Sequence, residues 1–249
     1  MIDFLMVSTR IRNKVTEIYP KFIIKRSSDL MIRGGDFYAI WIEEIGLWST
    51  DEQDALQLID RELDKYYEEN NSRFDGPTKI LHMWDAESGM IDSWHKYCQK
   101  QMRDSFQMLD EKLIFSNMVT TKKDYASKRL SYPLEPGDIS SYEELMSTIY
   151  SKEERHKIEW AIGSIVSGDS KKIQKFLVLY GSAGTGKSTI LNIIQQLFDG
   201  YYSVFDAKAL GSSSNAFALE AFKTNPLVAI QHDGDLSKIE DNTRLNSLV

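Results

Sequence analysis

The spacing of hydrophobic and polar residues predicts short strands and amphipathic helices along the chain. In the first half, two apolar runs flank the turn sequence Gly34-Gly35-Asp36, which predicts a β-hairpin over residues 29–41. A helix is predicted next, because Thr50 and Gln53 form a capping box. A second helix is predicted over residues 90–108. The apolar residues at helical spacing are Leu56, Ile59, Leu63 and Tyr66, then Ile91, Trp94, Cys98 and Met102.

The second half follows a predicted linker over residues 132–137, which contains two prolines and a glycine. Two capping boxes then predict helix starts, Ser141 with Glu144 and Ser151 with Glu154. The linker divides the chain into an α+β domain over 1–136 and a second domain over 137–249.

One stretch of the second half has the pattern of a phosphate-binding loop. Phe176-Leu-Val-Leu-Tyr180 has no polar interruption and predicts a short buried strand. Residues 181–188 fit G-x-x-x-x-G-K-[ST], and residues 190–198 have helical spacing. Strand, glycine-rich loop and helix together predict a nucleoside triphosphate site in an α/β fold with a parallel sheet.

The chemistry of a triphosphate explains the residue types. Backbone N–H groups must converge on phosphate oxygens, and glycine allows the dihedral angles that this requires. The helix N-terminus adds unpaired N–H groups and the positive end of a dipole. Lys187 is predicted to contact the β- and γ-phosphates and Ser188 to bind Mg²⁺. The predicted ATP-binding residues are Gly181, Ser182, Ala183, Gly184, Thr185, Gly186, Lys187, Ser188 and Thr189.

A second predicted strand supplies acidic residues for the magnesium. Leu227–Ile230 is apolar and leads into His232-Asp-Gly-Asp235. We assign Asp233 to Mg²⁺ through water, and Asp235 as the catalytic candidate that polarises the attacking water. The alternative is an aspartate-glycine turn after a strand. The acidic pair is not adjacent, so the role of Asp235 stays open, and His232 suits either the γ-phosphate or packing.

Composition narrows the class of protein. The chain has 249 residues, of which 42% are hydrophobic and 27% charged, as in soluble globular proteins. No apolar run is long enough for a membrane span, and the single cysteine suits a reducing cytoplasm. The net charge of −7 indicates that any DNA contact must come from a local patch or from assembly into a ring. The candidate patch for single-stranded DNA surrounds Tyr125, with a solvated loop as the alternative, and consists of Lys122, Lys123, Lys128 and Arg129.

Three segments resemble the phage-type primase-helicases, which are superfamily III helicases on an AAA+ P-loop core. They are Glu154-Arg-His-Lys-Ile-Glu-Trp-Ala-Ile-Gly163, the loop 181–189 and His232-Asp-Gly-Asp-Leu236. Upstream, 33–41 and 46–48 look like the domain that precedes the ATPase in such proteins. The resemblance implies an ATP-hydrolysing DNA helicase of phage genome replication in the host-cell cytoplasm. It also implies translocation on single-stranded DNA as a homo-oligomeric ring, a hexamer.

The family's sensor residue and trans-acting arginine have no counterpart here, so the ATPase domain is expected to be truncated at its C-terminus. Two other functions stay open from the residues alone. One is a P-loop kinase, which needs lid arginines and an acceptor pocket. The other is a non-hydrolysing, nucleotide-dependent assembly or loading module.

Overall fold

The protein is a mixed α/β chain that forms two compact units. The computed structural model describes residues 2–23, 27–33, 37–101, 108–206, 209, 220–222 and 226–232. The first unit contains Met1–Leu109 and Val119–Ser127, and the second contains Asp110–Met118 and Lys128–Val249. Residues 132–137, predicted as a linker, therefore lie within the second unit.

In its described part, the first unit contains two small sheets and two α-helices. Strands β1 (Leu5–Arg12) and β2 (Val15–Phe22) are antiparallel, and β6 (Thr78–Ile80) is parallel to β2. Strands β3 (Leu30–Arg33), β4 (Phe37–Ile42) and β5 (Leu47–Ser49) form an antiparallel sheet. The helices are α1 (Glu52–Asn70) and α2 (Met90–Gln101). The helix predicted after Thr50 is confirmed as α1, and the second predicted helix is confirmed over 90–101, whereas residues 102–107 of its predicted span lie outside the described residues. The antiparallel pairing of the predicted hairpin is confirmed, and its turn at 34–36 also lies outside them. The β1–β2 pair was not predicted.

Helices α1 and α2 pack against the β1–β2–β6 sheet and bury its inner face. Ile18 is fully buried, and the rings of Phe22 and Trp94 lie 5.3 Å apart. Cys98 belongs to the same core, and burial raises its pKa to about 12. The predicted capping box of α1 is wrong, because the helix begins one residue later. Its N-cap is Asp51, whose carboxylate accepts the Gln53 N–H at 2.9 Å.

The second unit consists of helices with a two-stranded sheet in its described part. The helices are α3 (Ser140–Ile149), α4 (Lys152–Val166), α5 (Ser170–Ile173) and α6 (Lys187–Leu197). Strands β7 (Tyr202–Val204) and β8 (Val228–Ile230) are parallel. The capping box of Ser151 and Glu154 is confirmed. The Ser141–Glu144 box is wrong, because α3 begins at Ser140 and Asp138 accepts the N–H of that residue.

The strand predicted before the glycine-rich loop is not present in the described structure. Residues 174–180 have no regular secondary structure, and Tyr180 is 99% exposed. Of the five predicted strand residues, only Leu179 packs against the core. A strand needs a hydrogen-bonded neighbour, and in the described chain β8 pairs with β7 instead. The predicted strand at Leu227–Ile230 is confirmed as β8.

Tyr201 joins three segments of the second unit. Its side chain is 1% exposed, and its hydroxyl accepts the Ile114 N–H at 3.3 Å and donates to Lys128 O at 2.7 Å. The surrounding core draws residues from both sides of the predicted linker: Leu113, Phe115, Leu130, Met146, Ile158, Ile190, Ile194, Phe198 and Ile230.

We predict that Tyr201→Phe destabilises the protein by about 1–3 kcal/mol, because both hydroxyl partners lose a buried hydrogen bond. Urea unfolding monitored by circular dichroism measures the change. Tyr202→Phe is the matched control, because this neighbouring residue is half-buried and should change stability by less than about 0.5 kcal/mol. Equal effects of the two variants would contradict the role given to the hydroxyl.

Candidate functional site: the glycine-rich loop before helix α6

The loop over residues 181–186 leads directly into helix α6, as the sequence predicts for loop and helix. Gly184 and Gly186 have left-handed φ angles of 80° and 77°. A Cβ on Gly186 would lie 2.6 Å from Ile149 Cγ2, which is closer than carbon atoms approach one another. Position 186 therefore needs glycine for both its dihedral angle and its contact with the end of α3.

Lys187 folds back over this loop. Its Nζ donates to Gly181 O at 3.0 Å and to Ser182 O at 2.6 Å, and lies 3.3 Å from Thr185 Oγ1. An ammonium group has three donors, so all of them lie against the loop. The loop thus carries a fixed positive charge.

The first turn of α6 adds to this charge. It contains no acidic side chain to neutralise the positive end of the helix dipole. Ser188 and Thr189 are exposed in that turn, with hydroxyl groups accessible to a ligand. Ala183 lies in the exposed part of the loop and contributes only backbone. This arrangement suits a polyphosphate anion.

Tyr150 determines how the loop presents its last peptide group. The Tyr150 hydroxyl donates to Gly186 O at 3.0 Å, and the same oxygen accepts the Ile190 N–H at 3.1 Å. In a trans peptide the N–H points opposite to the C=O, so these bonds also fix the direction of the Lys187 N–H. Burial raises the pKa of Tyr150, which keeps its hydroxyl protonated as a donor.

Sequence reasoning missed Tyr150. The available signal was an aromatic residue immediately before the Ser151 capping box, between two helices that precede the loop. That signal becomes informative only when the fold brings the end of α3 to the loop.

The acidic half of the predicted site lies outside the described residues, which include neither Asp233 nor Asp235. The described chain reaches His232, a half-buried residue just beyond β8. Ile230 O, at the end of that strand, accepts the Phe205 N–H at 3.0 Å. Within the described residues, no group of three or more His, Cys, Asp or Glu side chains is arranged to hold a metal ion. The magnesium assignment to Ser188 and Asp233 stays a prediction.

The four residues of the predicted DNA patch divide between the two units. Lys122 and Lys123 belong to the first unit, and Lys128 and Arg129 to the second. The Lys122 ammonium forms an ion pair with the buried carboxylate of Asp29. Lys128 Nζ lies 5.9 Å from the centre of the Tyr201 ring. These contacts give two of the four cations structural roles within their own units.

Neither a comparison with models of known protein families nor a search of curated proteins finds a match to this chain. The resemblance to the primase-helicases therefore stays a prediction from the motifs. Of the helices that the structure describes, none is both long and apolar enough to cross a membrane.

We predict that Tyr150→Phe weakens Mg·ATP binding about fivefold, because losing one hydrogen bond of about 1 kcal/mol frees the peptide before Lys187. Isothermal titration calorimetry measures the affinity. Tyr142→Phe is the control. The Tyr142 hydroxyl lies on α3, and it contacts Glu159 at 3.2 Å instead of the loop. A larger loss of affinity in Tyr142→Phe would contradict the positioning role of Tyr150.

Proposed function

We propose that the second unit binds Mg·ATP through residues 181–189, as the P-loop of a phage-type primase-helicase. The observation that carries this proposal is the closed turn of the loop against Lys187. The Lys187 ammonium contacts Gly181 O and Ser182 O, directly in front of the N-terminus of α6. A positive group, glycines with left-handed dihedral angles and free helix N–H groups together form an anion cradle.

The residues present fit a nucleoside triphosphate. Gly184 and Gly186 have left-handed φ angles, and as glycines they carry no side chain that would obstruct an approaching phosphate. The Lys187 ammonium now donates to neutral carbonyl oxygens, whereas a phosphate oxygen carries a negative charge that adds a Coulomb attraction to the hydrogen bond. Exchange of these partners would therefore favour the ligand.

The residues have distinct proposed roles in hydrolysis. Lys187 would hold the β- and γ-phosphate oxygens, and Ser188 and Asp233 would hold Mg²⁺, with a water between the metal and the carboxylate. The metal ion, when bound, withdraws charge from the phosphate oxygens. Asp235 would orient the attacking water and accept its proton. Tyr150 acts through the peptide of Gly186 as a positioning residue.

The finer fold belongs to the same proposal. We propose that β7 and β8 belong to the parallel sheet of an AAA+-like P-loop domain, and their parallel pairing supports this arrangement. The C-terminal ends of such strands are where open α/β sheets bind nucleotides.

The resemblance extends the proposal from ATP binding to work on DNA. A superfamily III helicase uses ATP hydrolysis in a homo-oligomeric ring, a hexamer, to move along single-stranded DNA. We propose this activity, in phage genome replication within the host-cell cytoplasm, for the protein. DNA-stimulated ATP hydrolysis supports it, whereas phosphate transfer to a hydroxyl acceptor indicates a kinase. Tight binding without turnover in any oligomer indicates a nucleotide-dependent assembly module.

We predict that Lys187→Ala weakens Mg·ATP binding by about 30-fold or more, because a charged hydrogen bond contributes about 2 kcal/mol. The fold should persist, since the hydrogen bonds of the Lys187 side chain within the described residues all go to its own loop. Titration with a fluorescent ATP analogue measures affinity, and circular dichroism checks the fold. Lys175→Ala is the control, because Lys175 is exposed and precedes the loop. A folded Lys187→Ala variant with unchanged affinity would refute the P-loop assignment.

Substitutions of the two aspartates should have different effects on ATP binding and hydrolysis. Asp233→Asn is expected to reduce the gain in ATP affinity on adding Mg²⁺, since it removes a charge from the metal site. Asp235→Asn is expected to leave binding unchanged and to slow hydrolysis by a factor of about 100 or more. Titrations with and without Mg²⁺, followed by phosphate-release assays, measure both effects. Unchanged turnover in Asp235→Asn would make that residue a turn residue only.

A further inference from the structure

The β1–β2–β6 sheet of the first unit has one face that α1 and α2 cover and one face that these helices leave open. Ile18 and Phe22 point toward the helices, since Ile18 is fully buried and Phe22 contacts Trp94. Because side chains alternate along a strand, the neighbouring positions of β2 point away from the helices. The β1–β2 and β2–β6 pairings place the following residues on this open face: Met6, Ser8, Arg10, Arg12, Val15, Glu17, Tyr19, Lys21 and Lys79.

Side-chain contacts confirm that these positions share a face. Arg10 Nε lies 2.7 Å from Glu17 Oε2, across the β1–β2 ladder. The Arg10 guanidinium also lies 4.9 Å from the centre of the Tyr19 ring. Glu17 is the only acidic side chain among these face positions, and its pairing with Arg10 neutralises it. The stacked Arg10 and Tyr19 form a flat polar and aromatic surface.

Three further cations on this face have no acidic partner among the described residues. They are Arg12, Lys21 and Lys79, and all three are exposed. A strand rises about 3.3 Å per residue, so the distance from Val15, opposite Arg12, to Lys21 corresponds to about 20 Å along the sheet. This face is therefore locally basic in a chain whose net charge is −7.

The turn of the hairpin adds a fourth cation at a conformational cost. Asn13 and Lys14 have φ angles of 51° and 65°, the left-handed pair of a two-residue hairpin turn. The second position of such a turn favours glycine, and lysine is an uncommon residue there. The positive charge thus occupies a position where glycine would be less strained.

We propose that the open face of the β1–β2–β6 sheet binds single-stranded nucleic acid. Arg12, Lys21 and Lys79 would contact backbone phosphates, and the Arg10–Tyr19 pair would stack against a base. Aromatic rings and arginine planes among basic side chains are the groups that bind unpaired strands. The inference rests on the proposed function for the identity of the polyanion, and it locates that contact away from residues 122–129.

The test compares two triple variants of the full chain. The first changes Arg12, Lys21 and Lys79 to Gln. The control changes Lys65, Lys96 and Lys100 to Gln, which removes the same charge from exposed positions on α1 and α2. Fluorescence anisotropy with a labelled oligothymidylate of about 16 nucleotides measures affinity across a range of salt concentrations. An oligouridylate of the same length distinguishes DNA from RNA.

Loss of three phosphate contacts should lower the slope of log K against log salt by about 2, and the affinity at 0.1 M salt on the order of 100-fold. The control should bind like the unmodified protein. Equal losses in both variants would overturn the proposal, because they would reflect net charge alone. A duplex that displaces the probe as well as an unlabelled single strand would also overturn it.

Separate measurements keep this proposal distinct from the ATP site. The face variant should bind Mg·ATP normally, and Lys187→Ala should bind the oligonucleotide normally. Single substitutions Arg12→Gln and Lys21→Gln should each lower the salt slope by about 0.7, which tests the face should the triple variant not fold. Normal oligonucleotide binding by both single variants would refute the assignment.

Discussion

The peptide group between Gly186 and Lys187 is the constraint on which the candidate site depends. Ile149 lies so close to Gly186 that a side chain is excluded, and Tyr150 holds the carbonyl oxygen. Both residues are at the end of α3, which an ion pair joins to Arg155 of α4. The Arg155 guanidinium contacts both carboxylate oxygens of Glu143, at 2.5 and 2.6 Å, and holds the pKa of that group below its usual range. The last peptide group of the loop therefore depends on contacts with residues upstream of the motif.

The parts of the structure that sequence predicted well depend on local interactions. A hairpin and the Ser151 capping box involve residues a few positions apart, and both are present. The motif at 181–188 likewise specifies the positions of glycine, lysine and a hydroxyl residue within eight consecutive residues. The strand at 176–180 failed because a strand depends on a distant partner, which the apolar pattern does not identify. Tyr150 was missed for the same reason, since its partner lies 36 residues away.

The basic residues show the same limit of sequence patterns, because a basic cluster in the sequence does not reveal which cations are ion-paired in the fold. Lys122 belongs to the most basic cluster near residue 125, yet its ammonium neutralises the buried Asp29. Asp29 also accepts the Asp3 N–H at 3.0 Å, so the ion pair helps to hold the start of the chain. On the β1–β2–β6 sheet, by contrast, the alternation of side chains separates cations from the core, and three of them, Arg12, Lys21 and Lys79, have no acidic partner among the described residues. Strand register, and not cluster density, distinguishes a structural cation from one accessible to a ligand.

The core of the second unit shows how the glycine-rich loop depends on residues distant from it in the sequence. Tyr201 lies just after α6, and both partners of its hydroxyl, Ile114 N and Lys128 O, precede residue 136. Leu113 and Leu130 pack in the same core as Ile190, which lies in the first turn of α6. Burying a leucine side chain contributes about 1.5–3 kcal/mol, which is a large fraction of the stability of a small domain. The helix that presents Lys187 is thus stabilised by residues on both sides of the proline-rich segment, because both sides contribute to one hydrophobic core.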